Sequence, residues 1–272
     1  MKVEERIFPR IISPFDIRDY RIAVSMTEFP ETFALPTVSV KNQASTGSCV
    51  AHACSTVVEY HNKRQENTDV VFSTEFIYGY RPAGYYVGTG MCIRDALKTI
   101  CKLGDVPLTT LRGNHEYAEA MEIVESKIEE LKDAAYPHRI SSYAKVKTDD
   151  EIKQALMSQG YVVVSMPWYA DYKLQNGVYT WTSEEEYGLH AVVIYGWDER
   201  GWLVQNSWGS TWGQKGRFVV PFGFKWRESW AIVDTIEGEA NIVRPADNIF
   251  VKVFGGAINW IANIFRKIFK KI

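Results

Sequence analysis

Four runs of β-branched and aromatic residues, YVVVSM, HAVVIYGW, WLVQNSW and GRFVVP, follow one another between Tyr161 and Pro221, each bounded by Gly, Asp or Pro. Such runs read as strands, and a chain that crowds them towards one end must build a sheet there. Ahead of them the pattern is helical. CVAHACSTVVEYHNKRQ, from Cys49, has small and apolar residues at helical spacing with no Gly or Pro, and Gly47 and Ser48 mark its start. Further helices are expected at IRDALKTICKLG, ending at Gly104, at NHEYAEAMEIVESKIEELKDAAY and at DDEIKQALMSQG. In the third of these four, Tyr117, Met121, Val124, Ile128 and Leu131 form one core-facing stripe. Helices first and a sheet later imply an α+β molecule in two halves, with a cleft between them where sites tend to form.

At 272 residues and 46% hydrophobic, the chain can bury a sizeable core in one domain or two halves. A net charge of −2 argues against a general nucleic-acid binder, which needs a basic face. MKVEERIFPRIISPF lacks the apolar run and cleavage site of a secretory signal, and no stretch reaches the length of a membrane span. Cys49, Cys54, Cys92 and Cys101 lack CxxC spacing, so they read as thiols rather than as zinc ligands or a redox pair, which favours a cytoplasmic or other reducing compartment. Residues 1–36 carry four prolines and no sustained periodicity, as an extended arm or short pro-segment would.

The stretch KNQASTGSCVAHAC poses the chemical question. A cysteine becomes a nucleophile when its thiolate is stabilised, and a helix N-terminus and a nearby imidazolium both do that. Cys49 has the first. Gln43 can aim an amide donor at an oxyanion beside the backbone N–H of Cys49. Of the five histidines, His190 opens a strand and Asn206, in QNSWG, ends the next, so neighbouring strands would hold imidazole and amide side by side.

VKNQASTGSC, LHAVVIYGW and QNSWGSTWGQKGRFVVP together resemble the three blocks of the papain-like cysteine peptidases, in the same chain order and over residues 37–236. The resemblance implies a two-lobed α+β fold, an N-terminal helical lobe and a C-terminal antiparallel β lobe with the active site between them. It implies an endopeptidase acting on polypeptides, with no cofactor and no metal. By it Cys49 is the nucleophile, His190 the base and acid, Asn206 the orienting amide and Gln43 the oxyanion donor. Trp208 would cover the Asn206–His190 hydrogen bond, and Gly90 would pair its backbone with an extended substrate. SPFDIRDY and GMCIRDALKTICKLGDVP resemble bacterial members that lack a long propeptide. Three positions depart from the family's pattern. Val50 replaces a Trp, Thr46 a disulfide cysteine and Arg217 a Tyr; the second fits a reduced setting.

Elsewhere the expectations are plainer. His52 reads as packed core, His61, His115 and His138 as solvated, Cys54, Cys92 and Cys101 as small fillers of helix faces, and Asp198 as a hairpin cap. After a linker at 237–248, residues 249–272 read as a cationic amphipathic helix. Its Phe and Ile residues recur at three and four, opposite Lys252, Arg266, Lys267, Lys270 and Lys271. Such a helix suits docking on the protein's own core, self-association or an anionic membrane surface, which would make the protein membrane-peripheral. Two other functions fit the same residues: a membrane-active or assembly protein on a peptidase scaffold, and an amide-forming transferase using the same acyl-enzyme.

Overall fold

The computed structural model describes residues 6–9, 11–82 and 88–234, together with the backbone of 242–243. Helices dominate the first half. α1 (Cys49–Glu66) is buried along almost its whole length, through Asn62, because helices pack on one side of it and the sheet on the other. α2 (Thr74–Gly79) and α3 (Ile93–Lys102) lie against it, followed by α4 (Tyr117–Ser126) and α5 (Ile128–Ala135). α6 (Asp149–Ser158) packs on the other face of the sheet, its first turn capped by the Thr148 hydroxyl, which accepts from the Glu151 N–H at 3.2 Å.

Eleven strands among the described residues form one sheet: β1 (Tyr20–Ile22), β2 (Phe33–Ala34), β3 (Ser142–Val146), β4 (Val162–Tyr169), β5 (Lys173–Gln175), β6 (Val178–Thr180), β7 (Glu186–Asp198), β8 (Gly201–Gln205), β9 (Arg217–Val220), β10 (Glu228–Val233) and β11 (Ile242–Val243). Their order is β11-β1-β3-β10-β4-β7-β8-β9-β6-β5, with β2 paired to β7. Pairing is antiparallel except for β1 with β3 and β6 with β9. β4 is buried at every residue, since α1 covers one face and α6 the other. One apolar core, with Val57, Val163, Val193 and Trp230, lies under α1; a second, rich in Trp168, Trp197, Trp202 and Trp208, fills the β lobe. Where α6 turns into β4, a Cβ on Gly160 would lie 2.3 Å from the Tyr60 ring, and its φ of +133° is open to glycine.

The helices and strands expected between residues 37 and 236 are present, with three differences. The long third helix is two, α4 and α5, interrupted at Lys127, where φ is −127° and ψ 18°. Val124 and Leu131 of its stripe are buried, whereas Tyr117, Met121 and Ile128 are only partly covered. Residues 1–36 are not wholly an arm: β1 and β2 place part of them in the sheet, with Ile22 in the β-lobe core. β11 likewise falls within the expected linker and pairs with β1. The amphipathic helix expected at 249–272 lies outside the described residues.

Candidate active site

Cys49 is the first residue of α1, so its thiol sits at the positive pole of an 18-residue helix. The loop before it is tied down atom by atom. Thr46 Oγ1 lies 2.7 Å from the Gln43 carbonyl, 2.6 Å from Ser48 Oγ and 3.2 Å from Asn114 Oδ1, and Gly47 N–H donates to Glu116 at 3.3 Å. A hydroxyl network therefore anchors this loop at the position of the missing cysteine. The Gln43 side chain, buried, donates through Nε2 to the Thr46 carbonyl at 2.9 Å.

His190 lies on β7, and Asn206 follows β8. Because these strands pair antiparallel with Val193 opposite Gln205, the chain leaving β8 brings Asn206 back beside His190. His190 Nε2 and Asn206 Oδ1 are 2.7 Å apart. That oxygen also accepts from the Ser207 N–H at 2.8 Å. An amide oxygen can only accept, so Nε2 carries the proton and Nδ1 presents a lone pair. Nδ1 is buried with no partner among the described residues. The Trp208 ring, itself buried, packs 4.8 Å from the imidazole. Leu189 and Ala191, the neighbours of His190, line the same small cavity as Cys49. The residues on either side of His190 thus meet Cys49 across the boundary between the two lobes.

That space is filled by the chain's own N-terminal residues. Arg6 donates to the Ala44 carbonyl at 3.0 Å and stacks on Trp208, its guanidinium 4.3 Å from the ring centre. Phe8 packs within 6.0 Å of the His190 ring and 6.1 Å of Trp168. Pro9 O accepts from the Leu189 N–H, and Ser13 N–H donates to Glu228 at 3.2 Å. A Cβ at Gly188 would lie 2.2 Å from the Phe8 carbonyl oxygen, so the bare glycine admits the segment. Beside Cys49 a cavity of about 10 Å³ is left, between Pro9 and Ile11 on one side and Met91, Ser165 and Glu228 on the other. That is the space of roughly one water.

Coverage sets the protonation states. Burial holds the His190 imidazole down at about 4 against an ordinary 6.5, and burial raises the Cys49 thiol above its usual value. Both groups are neutral at pH 7 in this closed form.

The sequence profile of the papain family of cysteine proteases matches residues 31–228. The chain belongs to that family. Its bacterial relative xylellain, from Xylella fastidiosa, superposes with a TM-score of 0.71 at 21% identity over 84% of this chain and 96% of that one. The cysteine protease and lectin-like domains of Cwp84 from Clostridium difficile give 0.67 at 18%, over 87% and 57%. At these identities the likeness is one of fold. A peptidase C1-like protein of Acanthamoeba polyphaga mimivirus is 25% identical over 94% of this chain and 88% of its own length. A gut-specific cysteine proteinase of Caenorhabditis elegans is 40% identical over 30% of this chain. That match spans about a quarter of the relative's length, 26%.

Within this papain-family frame, Gly90 borders the cleft at φ +88°, where a Cβ would meet Pro9 at 2.4 Å. Its N–H donates to the Tyr78 hydroxyl at 3.1 Å and its carbonyl accepts from Arg81, so in the closed form both backbone groups face the protein's own side chains. His52 is buried against Ser48, as expected of packed core. His61 is not solvated: it lies on the part of α1 that is buried, 2% exposed, and burial lowers it to about 3. His115 and His138 are half-covered, the first beside Glu75 and Glu119, the second against the Phe72 ring. Asp198 caps its hairpin, accepting from the Arg200 N–H at 2.9 Å. Arg217 is partly buried and donates to the Val38 carbonyl at 3.0 Å. Three residues the motifs did not point to join the site: Phe8, Glu228 and Ser207.

Proposed function

We propose that the protein is a cysteine endopeptidase whose closed form is kept latent by residues 6–9 and 11–13. The Cys49 thiolate attacks a peptide carbonyl as its proton passes to His190 Nδ1. The Cys49 N–H and the free N–H of Gln43 hold the oxyanion, and His190 delivers its proton to the leaving amine. Water, deprotonated by the same nitrogen, then releases the acyl group from sulfur, while Asn206 keeps the imidazole in one tautomer throughout. An extended polypeptide would run past Gly90 and Trp208, the path now taken by the arm. The observation that carries this reading is the 2.7 Å bond from His190 Nε2 to Asn206, which leaves Nδ1 as the lone-pair nitrogen of the ring with no partner among the described residues. Labelling with a peptidyl epoxide, followed by peptide mapping, should mark Cys49. Cys49→Ala should lose both label and peptidase activity while keeping its melting temperature. A label on Cys54, Cys92 or Cys101 would refute the assignment.

The partner of residues 249–272 is proposed from sequence. The tail has five cationic side chains and no acid, whereas the first 248 residues carry an excess of seven acids over bases. A helix with an apolar Phe/Ile face and that charge is satisfied by an anionic membrane surface or by self-association through the tail. Flotation with phosphatidylserine-containing vesicles decides between them. Binding that is lost on deleting 249–272, with activity on a soluble peptide kept, supports the membrane. Failure to float, with a concentration-dependent dimer lost on the same deletion, supports self-association.

A further inference from the structure

Arg81, just after α2, is a cation only 3% exposed. Its terminal nitrogens divide between two nearby carbonyls: Nη1 donates to Gly90 O and Nη2 to Gly88 O. The guanidinium carbon lies 3.4 Å from the centre of the Tyr117 ring and 5.6 Å from that of Tyr78, so aromatic faces help to hold the buried charge. Gly88 and Gly90 have left-handed φ of +81° and +88°, and this backbone gives one guanidinium both carbonyls. A planar fork holds two acceptors at a fixed spacing, which a lysine ammonium cannot do. The loop so clamped meets the cleft at two places. A Cβ on Gly47, two residues before Cys49, would lie 2.7 Å from Thr89 Cβ, and a Cβ on Gly90 would lie 2.4 Å from Pro9 of the arm. A carbonyl oxygen has two lone pairs, so with Arg81 on one the other can take a peptide N–H.

From this clamp we infer that Arg81 is a positioning residue for substrate: by holding Gly88 and Gly90 together it presents the Gly90 carbonyl to the backbone of an extended peptide, and it touches no reacting atom. The inference rests on the reading of Gly90 as the glycine that pairs with substrate. Its signature is a loss of binding, confined to peptides that reach Gly90 and traceable to one of their backbone nitrogens.

The test is a cycle between enzyme and substrate, run on the full-length chain with a peptide amide and its counterparts methylated at one backbone nitrogen at a time. In wild type, methylating the nitrogen that faces Gly90 should lower kcat/KM about fivefold, the scale of one hydrogen bond, through KM with kcat little changed. Arg81→Met should lower kcat/KM on the unmethylated peptide about fivefold, and that methylation should then cost it nothing more. Methylation at the other nitrogens should cost both enzymes alike. Arg81→Lys, which keeps the charge and loses the fork, should lose most of the same sensitivity, and it carries the test if Arg81→Met does not fold. A change in folded fraction or in closure of the arm moves both peptides together and cancels in their ratio; alkylation of Cys49 by iodoacetamide, too small to reach Gly90, reads that change separately. Variants that keep the full cost of the methylation overturn the inference, as does a loss that falls on kcat with KM unchanged. If wild type is indifferent to methylation at every nitrogen, the reading of Gly90 falls too, which separates that failure from failure of the inference alone.

Discussion

Phe8 and His190 set the sign of a pH response at the scale of single residues. In the closed form the imidazole takes up a proton only near pH 4; once uncovered, it should do so near its ordinary 6.5. The open form therefore binds more protons between these values, and acid favours opening. Hydrogen exchange of residues 6–13, corrected for the intrinsic rate, should report an opening constant about twentyfold larger at pH 5 than at pH 7. Phe8→Ala should raise opening at pH 7 and flatten the dependence, while opening that grows with pH would show that His190 burial is not what couples to the arm. Cys49, His190, Asn206 and Gln43 were singled out because the blocks around them resemble those of the papain-like peptidases, and the structure joins His190 to Asn206. Phe8 carried no signal, since its position depends on the chain folding back across both lobes. Ser207 stood in plain view in QNSWG, but its hydroxyl meets Gln43, far away in sequence, only in the fold. His61 misled because its sequence neighbours are polar, whereas burial of α1 is decided by what packs around it.

Among elements, the N-terminal stretch divides in two. Residues 6–9 and 11–13 lie along the cleft, whereas Asp19 holds the buried Arg94 through Nε at 2.9 Å, and β1 is a strand of the sheet. Between them Phe15 is 85% and Ile17 66% exposed, and Arg18 projects into solvent. Limited trypsin digestion should cut after Arg18 and leave a stable body beginning at Asp19, with Cys49 open to alkylation; mass spectrometry reads both. A body trimmed to about residue 37 that keeps its melting temperature would show β1 to be dispensable. Sequence missed β1, β2 and β11 because strands of two or three residues have no periodicity to read. It fused α4 and α5 because an apolar stripe continues across the break at Lys127, where no Gly or Pro gives warning.

For the whole molecule, the absence of a disulfide is the most direct prediction. No disulfide joins any of Cys49, Cys54, Cys92 and Cys101, and hydroxyl and carboxylate contacts to Asn114 and Glu116 tether the loop at Thr46. Thiol titration in denaturant without reductant should find four; two, with a bridge mapped by mass spectrometry, would overturn this. The division into a helical half and a sheet half was readable from the order of patterns. What closes the cleft was not, because it joins residues from opposite ends of the chain.

That long-range closure has a consequence during synthesis. The arm leaves the ribosome before His190 and Asn206, and β1 finds β3 and β11 only after those later strands have followed it. At the usual elongation rate of about 5–20 residues per second, on the order of ten seconds or more separates inhibitor from active site. The lobe that completes the nucleophile's surroundings therefore forms in the presence of the segment that covers it, and a newborn molecule is closed before it has the means to cut.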